Sequence, residues 1–227
     1  AIYTSATSAE GAYLSQFYGC SGLRSVTFKI PSVSTAFTGW IGNDLLKTNA
    51  VTKIILAEGV TDVGDQSFRN KNSLQSVVFP VSASRIGSLA FQNCAGLTEV
   101  TISKGTTSIA GNAFEGCPKL QAIEVSGENK IYSGKDGLLF DKKGTTLIKC
   151  PEGKSGACVL PEGVTSISSS AFRRCAGLTE VTLPEGVTSI GSHAFHGCKR
   201  MTTINIADTV TSIGGNAFSS CSGLTEI

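Results

Sequence analysis

Hydrophobic residues return along this chain at one fixed spacing. Between Leu178 and Phe195 they stand at Leu178, Val181, Leu183, Val187, Ile190, Ala194 and Phe195, and Cys198 follows before the pattern restarts. The phenylalanine recurs as Phe68, Phe91, Phe114, Phe172, Phe195 and Phe218, at separations of 23, 23, 58, 23 and 23 residues. A fixed period of roughly 20 to 50 residues marks an array whose units cannot bury their apolar sets alone and stack to share a core. Within one unit, Val181 and Leu183 alternate with Glu180 and Thr182, which predicts a short strand with the apolar pair turned inward. Pro184 ends that strand because it has no N–H to donate. Val187-Thr188-Ser189-Ile190 predicts a second short extended stretch, since β-branched residues suit a pleated, half-buried surface. Ala194-Phe195-x-x-Cys198 predicts a compact turn or short 3₁₀ segment that drives the ring into the core. Successive strands then pair from repeat to repeat, and the predicted fold is a repeat solenoid with a continuous parallel β-sheet.

Taken in order, residues 1–16 are small and polar apart from Tyr3, Tyr13 and Leu14, and read as a degenerate first turn or an edge cover. Phe17, Cys20, Leu23, Val26 and Phe28 set the first register. Leu45, Thr48, Val51, Ile54 and Leu56 set the second, with Leu45 in the phenylalanine position and Thr48 in the cysteine position. The gap between Phe17 and Leu45 is 28 residues, so five extra residues bulge around Ser32–Trp40. The phase then holds to Phe114. Lys71 takes the cysteine position of its repeat, where a lysine must snorkel or the turn must open. An irregular unit, about 126–160, breaks the period. In it Leu138-Leu139-Phe140 and Thr146-Leu147-Ile148 flank Asp141-Lys142-Lys143-Gly144, a hairpin signal. The expectation is one strand near Thr146–Lys149 in line with the others, and a hairpin projecting outward. In all, residues 1–227 carry eight registers and one irregular unit in a single solenoid. The chain stops at Ile227 within a repeat strand and without the polar capping unit usual at solenoid ends. The expectation is a fragment, or an end covered by another subunit through end-to-end self-association.

Composition changes this picture little. With 19 basic and 17 acidic side chains and a net charge of +2, nothing points to nucleic acid. No apolar run reaches the about 18 residues of a spanning helix. No charged segment leading into an apolar one stands at Ala1, although a trimmed chain would look the same, so this does not place the protein in the cytosol. Of the eight cysteines, Cys20, Cys94, Cys117, Cys175, Cys198 and Cys221 each follow a repeat phenylalanine by three residues. Such a column holds parallel side chains, whereas a disulfide needs opposed Cβ vectors. They read as small buried apolar residues. Cys150 and Cys158 stand outside the column and are the plausible pair.

The motif L-x-x-V/I-x-L-P-x-x-V-x-x-I-x-x-x-A-F-x-x-C resembles the BspA-like leucine-rich repeats of bacterial surface proteins, found also in some protozoan parasites. The match runs from about Leu45 to Ile227. Asp136-Gly137-Leu138-Leu139-Phe140-Asp141 and Thr145 to Pro151 resemble a recurrent irregular variant of that family. The resemblance implies a curved right-handed leucine-rich-repeat superhelix with the Leu183-type strands on its concave face and turns on the convex side. It further implies secretion or surface display, and adhesion to a host or extracellular-matrix protein.

Candidate binding residues follow from the outward strand positions, which folding leaves unconstrained. These are Lys53, Ile55, Val78, Glu99, Thr101, Glu124, Glu180, Thr182 and Asn205. Glu99, Glu124, Glu180 and Glu226 make the C-terminal half acidic, which suits a partner with a basic end. The plain alternative is a solvated face on which Glu and Thr maintain solubility and strand propensity. Phe37, Trp40 and Ile41 in the bulge are a rival contact site, or local packing. His193 and His196 have the three-residue spacing of metal ligands on a helix. No third ligand accompanies them, and Asn112, Ser170 and Asn216 fill the His193 position elsewhere. Cys198 lies near His196, yet it occupies the buried column rather than the exposed, electropositive setting a nucleophilic thiol needs. Asn72-Ser73-Leu74 is not a glycosylation acceptor, and no phosphate-binding glycine loop occurs. The sequence therefore predicts no active site, metal or cofactor. The reading from another class is a structural spacer that presents other domains.

Overall fold

The structure, a computed structural model, describes residues 3–5, 24–29 and 51–226. The register at Phe17 and Cys20, the positions Leu45 and Thr48, and the bulge with Phe37, Trp40 and Ile41 lie outside the described residues. The chain forms two compact units, one of Ala1–Cys117 with Ser126–Asn129 and one of Pro118–Val125 with Lys130–Ile227.

The first unit holds β1 (Tyr3–Ser5), β2 (Ser25–Lys29), β3 (Lys53–Leu56), β4 (Asp62–Val63), β5 (Ser76–Val78), β6 (Arg85–Ile86), β7 (Glu99–Ile102) and β8 (Ser108–Ile109). Strands β1, β2, β3, β5 and β7 pair in that order, all parallel, and β4, β6 and β8 form a second parallel ladder. The alternation read from sequence is what organises them. Along β7, Val100 and Ile102 are buried while Glu99 and Thr101 are exposed. Between the two ladders the turns stack their rings. Phe68 and Phe91 lie 5.2 Å apart and 18° from parallel, and Phe91 and Phe114 lie 5.4 Å apart at 13°. Backbone bonds tie each turn to the next, such as Phe68 N–H to the Ala90 carbonyl at 2.7 Å and Phe91 N–H to that of Ala113 at 2.8 Å. The cysteine column has a polar function as well as an apolar one. Cys94 Sγ donates to the Phe68 carbonyl at 3.1 Å and Cys117 Sγ to that of Phe91 at 3.2 Å, so each thiol satisfies a buried carbonyl of the preceding turn. Lys71 is buried in its cysteine position.

The second unit holds β9 (Ala122–Val125), β10 (Tyr132–Lys135), β11 (Leu138–Asp141), β12 (Thr146–Lys149), β13 (Ser155–Val159), β14 (Ser166–Ile167), β15 (Gly177–Thr182), β16 (Ser189–Ile190), β17 (Thr203–Asn205) and β18 (Ser212–Ile213). One ladder is β13–β15–β17, all parallel; another runs β10–β11–β12–β14–β16–β18, antiparallel over its first three strands and parallel thereafter. Phe172, Phe195 and Phe218 stack at 4.7 Å and 5.2 Å, and Cys198 and Cys221 donate to the carbonyls of Phe172 and Phe195 at 3.1 Å and 3.0 Å.

Within the irregular unit one sequence expectation holds and one fails. Thr146–Lys149 is a strand in line with others: β12 pairs with β14, in the line of the second, shorter strands. The strand in line with β15 is β13, with Cys158 opposite Val181 and Val159 opposite Thr182. The hairpin does not project. Leu138, Phe140 and Leu147 are buried in the core of this unit, because three consecutive apolar residues at 138–140 have more to gain inside than in water. The β10–β11 tip packs against β9, where Ile123 N–H donates to the Gly137 carbonyl at 2.9 Å. Gly137 is needed there twice over: its φ is 75°, and a Cβ would stand 3.1 Å from the Ala122 Cα. Lys154 Nζ donates to the Asp136 carbonyl at 2.7 Å and fixes the same tip. Both units are parallel-strand solenoids of short strands and turns, with no helix among the described residues.

Candidate binding faces on the strand ladders

In the first unit the outward residues of β3, β5 and β7 form rows across the strands. Ile55, Val78 and Thr101 are successive partners in one row, and Lys53 and Ser76 in the next. Glu99 precedes Thr101 by two residues and so shares its face. Neighbours in a row are about 4.8 Å apart, the strand spacing. Lys53, Val78, Glu99 and Thr101 are exposed and Ile55 is half-buried. Val78 keeps 45% of its surface in water, an apolar side chain with no core to fill.

The second unit presents two rows as well. Val159, Thr182 and Asn205 are successive partners, and Ala157, Glu180 and Thr203 lie beside them, with Glu226 bridged to Thr203. Val159 is 68% exposed, more than any other large hydrophobic residue among those described. The sequence reading leaves it out, because it gives the irregular unit one aligned strand, near Thr146–Lys149, and none at Ser155–Val159. The signal was present: Leu160-Pro161-Glu162-Gly163-Val164 repeats as Leu183-Pro184-Glu185-Gly186-Val187 after 23 residues. Glu124 does not join these rows. It is exposed on β9, which pairs with neither β13 nor β15 and meets the tip of the β10–β11 hairpin instead.

Threonines at the strand starts bind their own ladder. Thr98 Oγ1 donates to the Gln75 carbonyl at 3.3 Å, and Thr202 and Thr225 donate to the carbonyls of Thr179 and Thr202 at 3.2 Å. The rows thus stand on a backbone braced from both its own bonds and these side chains. They offer fixed apolar and charged side chains on a pleated surface, which is equipment for contact rather than for covalent chemistry.

Several charged and polar groups away from these rows have structural partners. On the second ladder of the first unit, Arg85 bridges Asp62 and Asp65, and Asp65 also accepts from Ser88 N–H at 2.9 Å. The Arg85 hydrogen bond, with that of Ser88, holds the Asp65 carboxyl below the usual carboxylate range. Glu58 is lowered likewise by the Val81 and Ser82 amides. The Cys198 thiol faces the Phe172 carbonyl, and burial pushes it up; the Cys94 thiol is pushed up to about 12 for the same reason. The rings of His193 and His196 meet edge to face at 5.8 Å. Among the described residues no three His, Cys, Asp or Glu side chains are grouped to hold a metal, and no helix is long and apolar enough to cross a membrane.

The BspA type leucine rich repeat region matches the chain in six copies, over residues 39–136 and 152–227. Among solved structures, a leucine-rich repeat protein from Eubacterium ventriosum is 26% identical with a TM-score of 0.70, over 96% of this chain and 63% of that one. A leucine rich cell surface protein from Faecalibacterium prausnitzii is 25% identical with a TM-score of 0.57, over 93% of this chain and 74% of that one. A leucine rich repeat protein from T. pallidum is 28% identical with a TM-score of 0.53, over 77% and 78%. The chain therefore spans less than two thirds of the length of the Eubacterium protein. No curated protein matches it. With the repeat matched over well more than half of its residues, the chain belongs to the BspA-type leucine-rich repeat family.

Proposed function

We propose that the protein is a non-catalytic recognition module, secreted or displayed at a cell surface, whose strand faces bind a host or extracellular-matrix protein. The observation that carries this reading is the pair of apolar side chains, Val78 and Val159, held in water at outward strand positions 45% and 68% exposed. Folding gains nothing from them there, whereas an interface would. Ile55 and Thr101 extend the first of these patches, with Lys53 and Glu99 at its margin; Thr182, Asn205 and Glu180 extend the second. Glu124, exposed on β9, lies outside the second patch and is a candidate contact of its own. Likeness to a leucine rich cell surface protein supports the surface placement.

The spacer reading draws support from the threonines of the strand starts, which spend their hydroxyls on the ladder rather than on a partner. One experiment separates the two. The immobilised protein is tested against fibronectin and fibrinogen beside Val78→Asp, Val159→Asp and a Glu99→Lys/Glu180→Lys variant, each checked for folding by circular dichroism. Binding lost in a folded variant supports recognition at that patch. Binding unchanged in all three variants removes the strand faces as the site, and no binding by the parent favours the spacer.

A further inference from the structure

We propose that Cys150 and Cys158 are a redox pair, which a small disulfide oxidant converts to an intramolecular disulfide tying the hairpin insert to the strand ladder of the second unit. All seven described cysteines are reduced in the structure. Five of them stand in the column three residues after a phenylalanine; Cys150 and Cys158 are placed differently. Cys150 N–H donates to the Ala171 carbonyl at 2.8 Å, as Phe172 and Phe195 N–H donate to those of Ala194 and Ala217 at 2.7 Å and 2.8 Å. Cys150 thus takes the ring position of its turn. Cys158 takes the inward strand position of its repeat, opposite Val181 on β15. A turn residue and a strand residue reach into the core from opposite sides, the approach a disulfide requires and the column lacks.

The outcome of that placement is contact. The two thiols share one buried cluster, with Cys150 0% and Cys158 2% exposed, and Cys150 Sγ donates to the Pro151 carbonyl at 3.6 Å. Cys175 is the remaining thiol nearby and is the rival partner for Cys150; its own Sγ donates to the Pro151 and Cys150 carbonyls at 3.5 Å and 3.6 Å. Burial pushes Cys150 up, while the neighbouring Cys150 thiol, aided by the Lys154 ammonium, lowers Cys158. Cys158 is therefore the attacking sulfur and Cys150 the resolving one. β13 is an edge strand of its sheet and is flanked at Cys158 by exposed Ala157 and Val159, so local opening of this one strand admits a small reagent.

The exchange balances without further reactants. The Cys158 thiolate attacks one sulfur of a low-molecular-weight disulfide and displaces one thiolate. The Cys150 thiol then loses its proton and attacks the mixed disulfide, displacing the second. The protein is oxidised by two electrons and the reagent is reduced to two thiols. The bond closes a loop across residues 151–157, which spans the connection between β12 and β13 and the start of β13.

Peptide mapping tests this on the unmodified protein. Trypsin places Cys150 in Cys150–Lys154, Cys158 in Ser155–Arg173, and Cys175 in Cys175–Lys199. Native protein is incubated with oxidised glutathione, blocked with N-ethylmaleimide and digested without reductant. The expected product links the first two peptides, retains six of the eight cysteines as free thiols, and is cleared by dithiothreitol. Cys175→Ser should link equally well, whereas Cys150→Ser should stop with glutathione on Cys158. Linkage to the Cys175–Lys199 peptide, mixed disulfide that never resolves in the parent, or linkage seen only in urea would each overturn the proposal.

Discussion

Phe195→Ala tests whether the ring column carries the second unit. Phe195 is fully buried between Phe172 at 4.7 Å and Phe218 at 5.2 Å, both nearly parallel to it. Truncating a buried phenylalanine costs about 3–5 kcal/mol, with the cavity included. Two stacked neighbours, each contributing about 0.5–1.5 kcal/mol beyond buried area, place this site at the upper end. Phe218 is half-buried and stacks on one described ring, so Phe218→Ala should cost roughly half as much. A loss of about 4 kcal/mol against a urea slope of about 2 kcal/mol/M moves the unfolding midpoint down by about 2 M. Far-UV circular dichroism in urea reads this, provided the slope is unchanged between parent and variant. Nearest-neighbour stacking is the reasoning at stake. A cost below about 2 kcal/mol for Phe195→Ala, or equal costs at the two sites, would refute it.

Three further outcomes follow from the first unit. Asn129 is fully buried, and its Nδ2 donates to the Ser103 and Thr106 carbonyls at 2.7 Å and 2.9 Å. Asn129→Ala strands both acceptors and should cost about 2–4 kcal/mol in urea unfolding; a cost under about 1 kcal/mol would show that water replaces the amide. A Cβ at Gly105 would fall on the Val81 carbonyl, while one at Gly111 meets nothing within 4 Å. Gly105→Ala should therefore lower the melting temperature clearly and Gly111→Ala leave it nearly unchanged, and equal effects would count against this packing. The Cys94 thiol, pushed up to about 12, keeps its proton in the folded state when the unfolded chain has lost it. Its contribution is complete below about pH 8.5 and shrinks as pH rises towards 12, at about 1.4 kcal/mol per unit. Unfolding free energy measured from pH 8 to 10.5 should fall in Cys94-containing protein and fall less steeply in Cys94→Ala; identical slopes would exclude burial of this thiol as the cause.

Burial is what made the fold legible. An inward position must be apolar in every turn, so Val181, Leu183, Val187, Ile190 and Phe195 advertise the period directly, and the stacked rings and paired strands follow from it. Hydrogen bonds made by inward groups leave no such mark. The cysteine column reads as a set of small apolar residues, and only coordinates reveal that Cys94, Cys117, Cys198 and Cys221 each meet the phenylalanine carbonyl 26 residues earlier. Outward positions are weakest, because nothing in the fold selects them. Sequence alternation turns Glu180 and Thr182 outward, where Glu180 is exposed and Thr182 half-buried, but does not say which residues stand beside them.

The irregular unit shows why neighbours cannot be inferred by counting repeats. Its apolar triplet Leu138-Leu139-Phe140 is too hydrophobic to project, so the hairpin turns inward and its tip meets β9 at Ile123. An open strand edge is a liability that proteins cover, and the tip covers this one. The next Leu183-type ladder then begins afresh at β13, with its outward row starting at Val159 rather than continuing from Glu124. A single strip of acidic residues therefore does not describe the second unit. Its candidate surface is a short patch led by an exposed valine, and the strand that carries this valine also carries Cys158 on its inner face. Oxidation of Cys158 to Cys150 would pin β13 at its free edge, so the binding patch and the thiol pair share one strand. Oxidised protein should hold Val159 in a more rigid row than reduced protein, read as slower amide exchange along residues 155–159; equal exchange in the two forms would uncouple the disulfide from the patch.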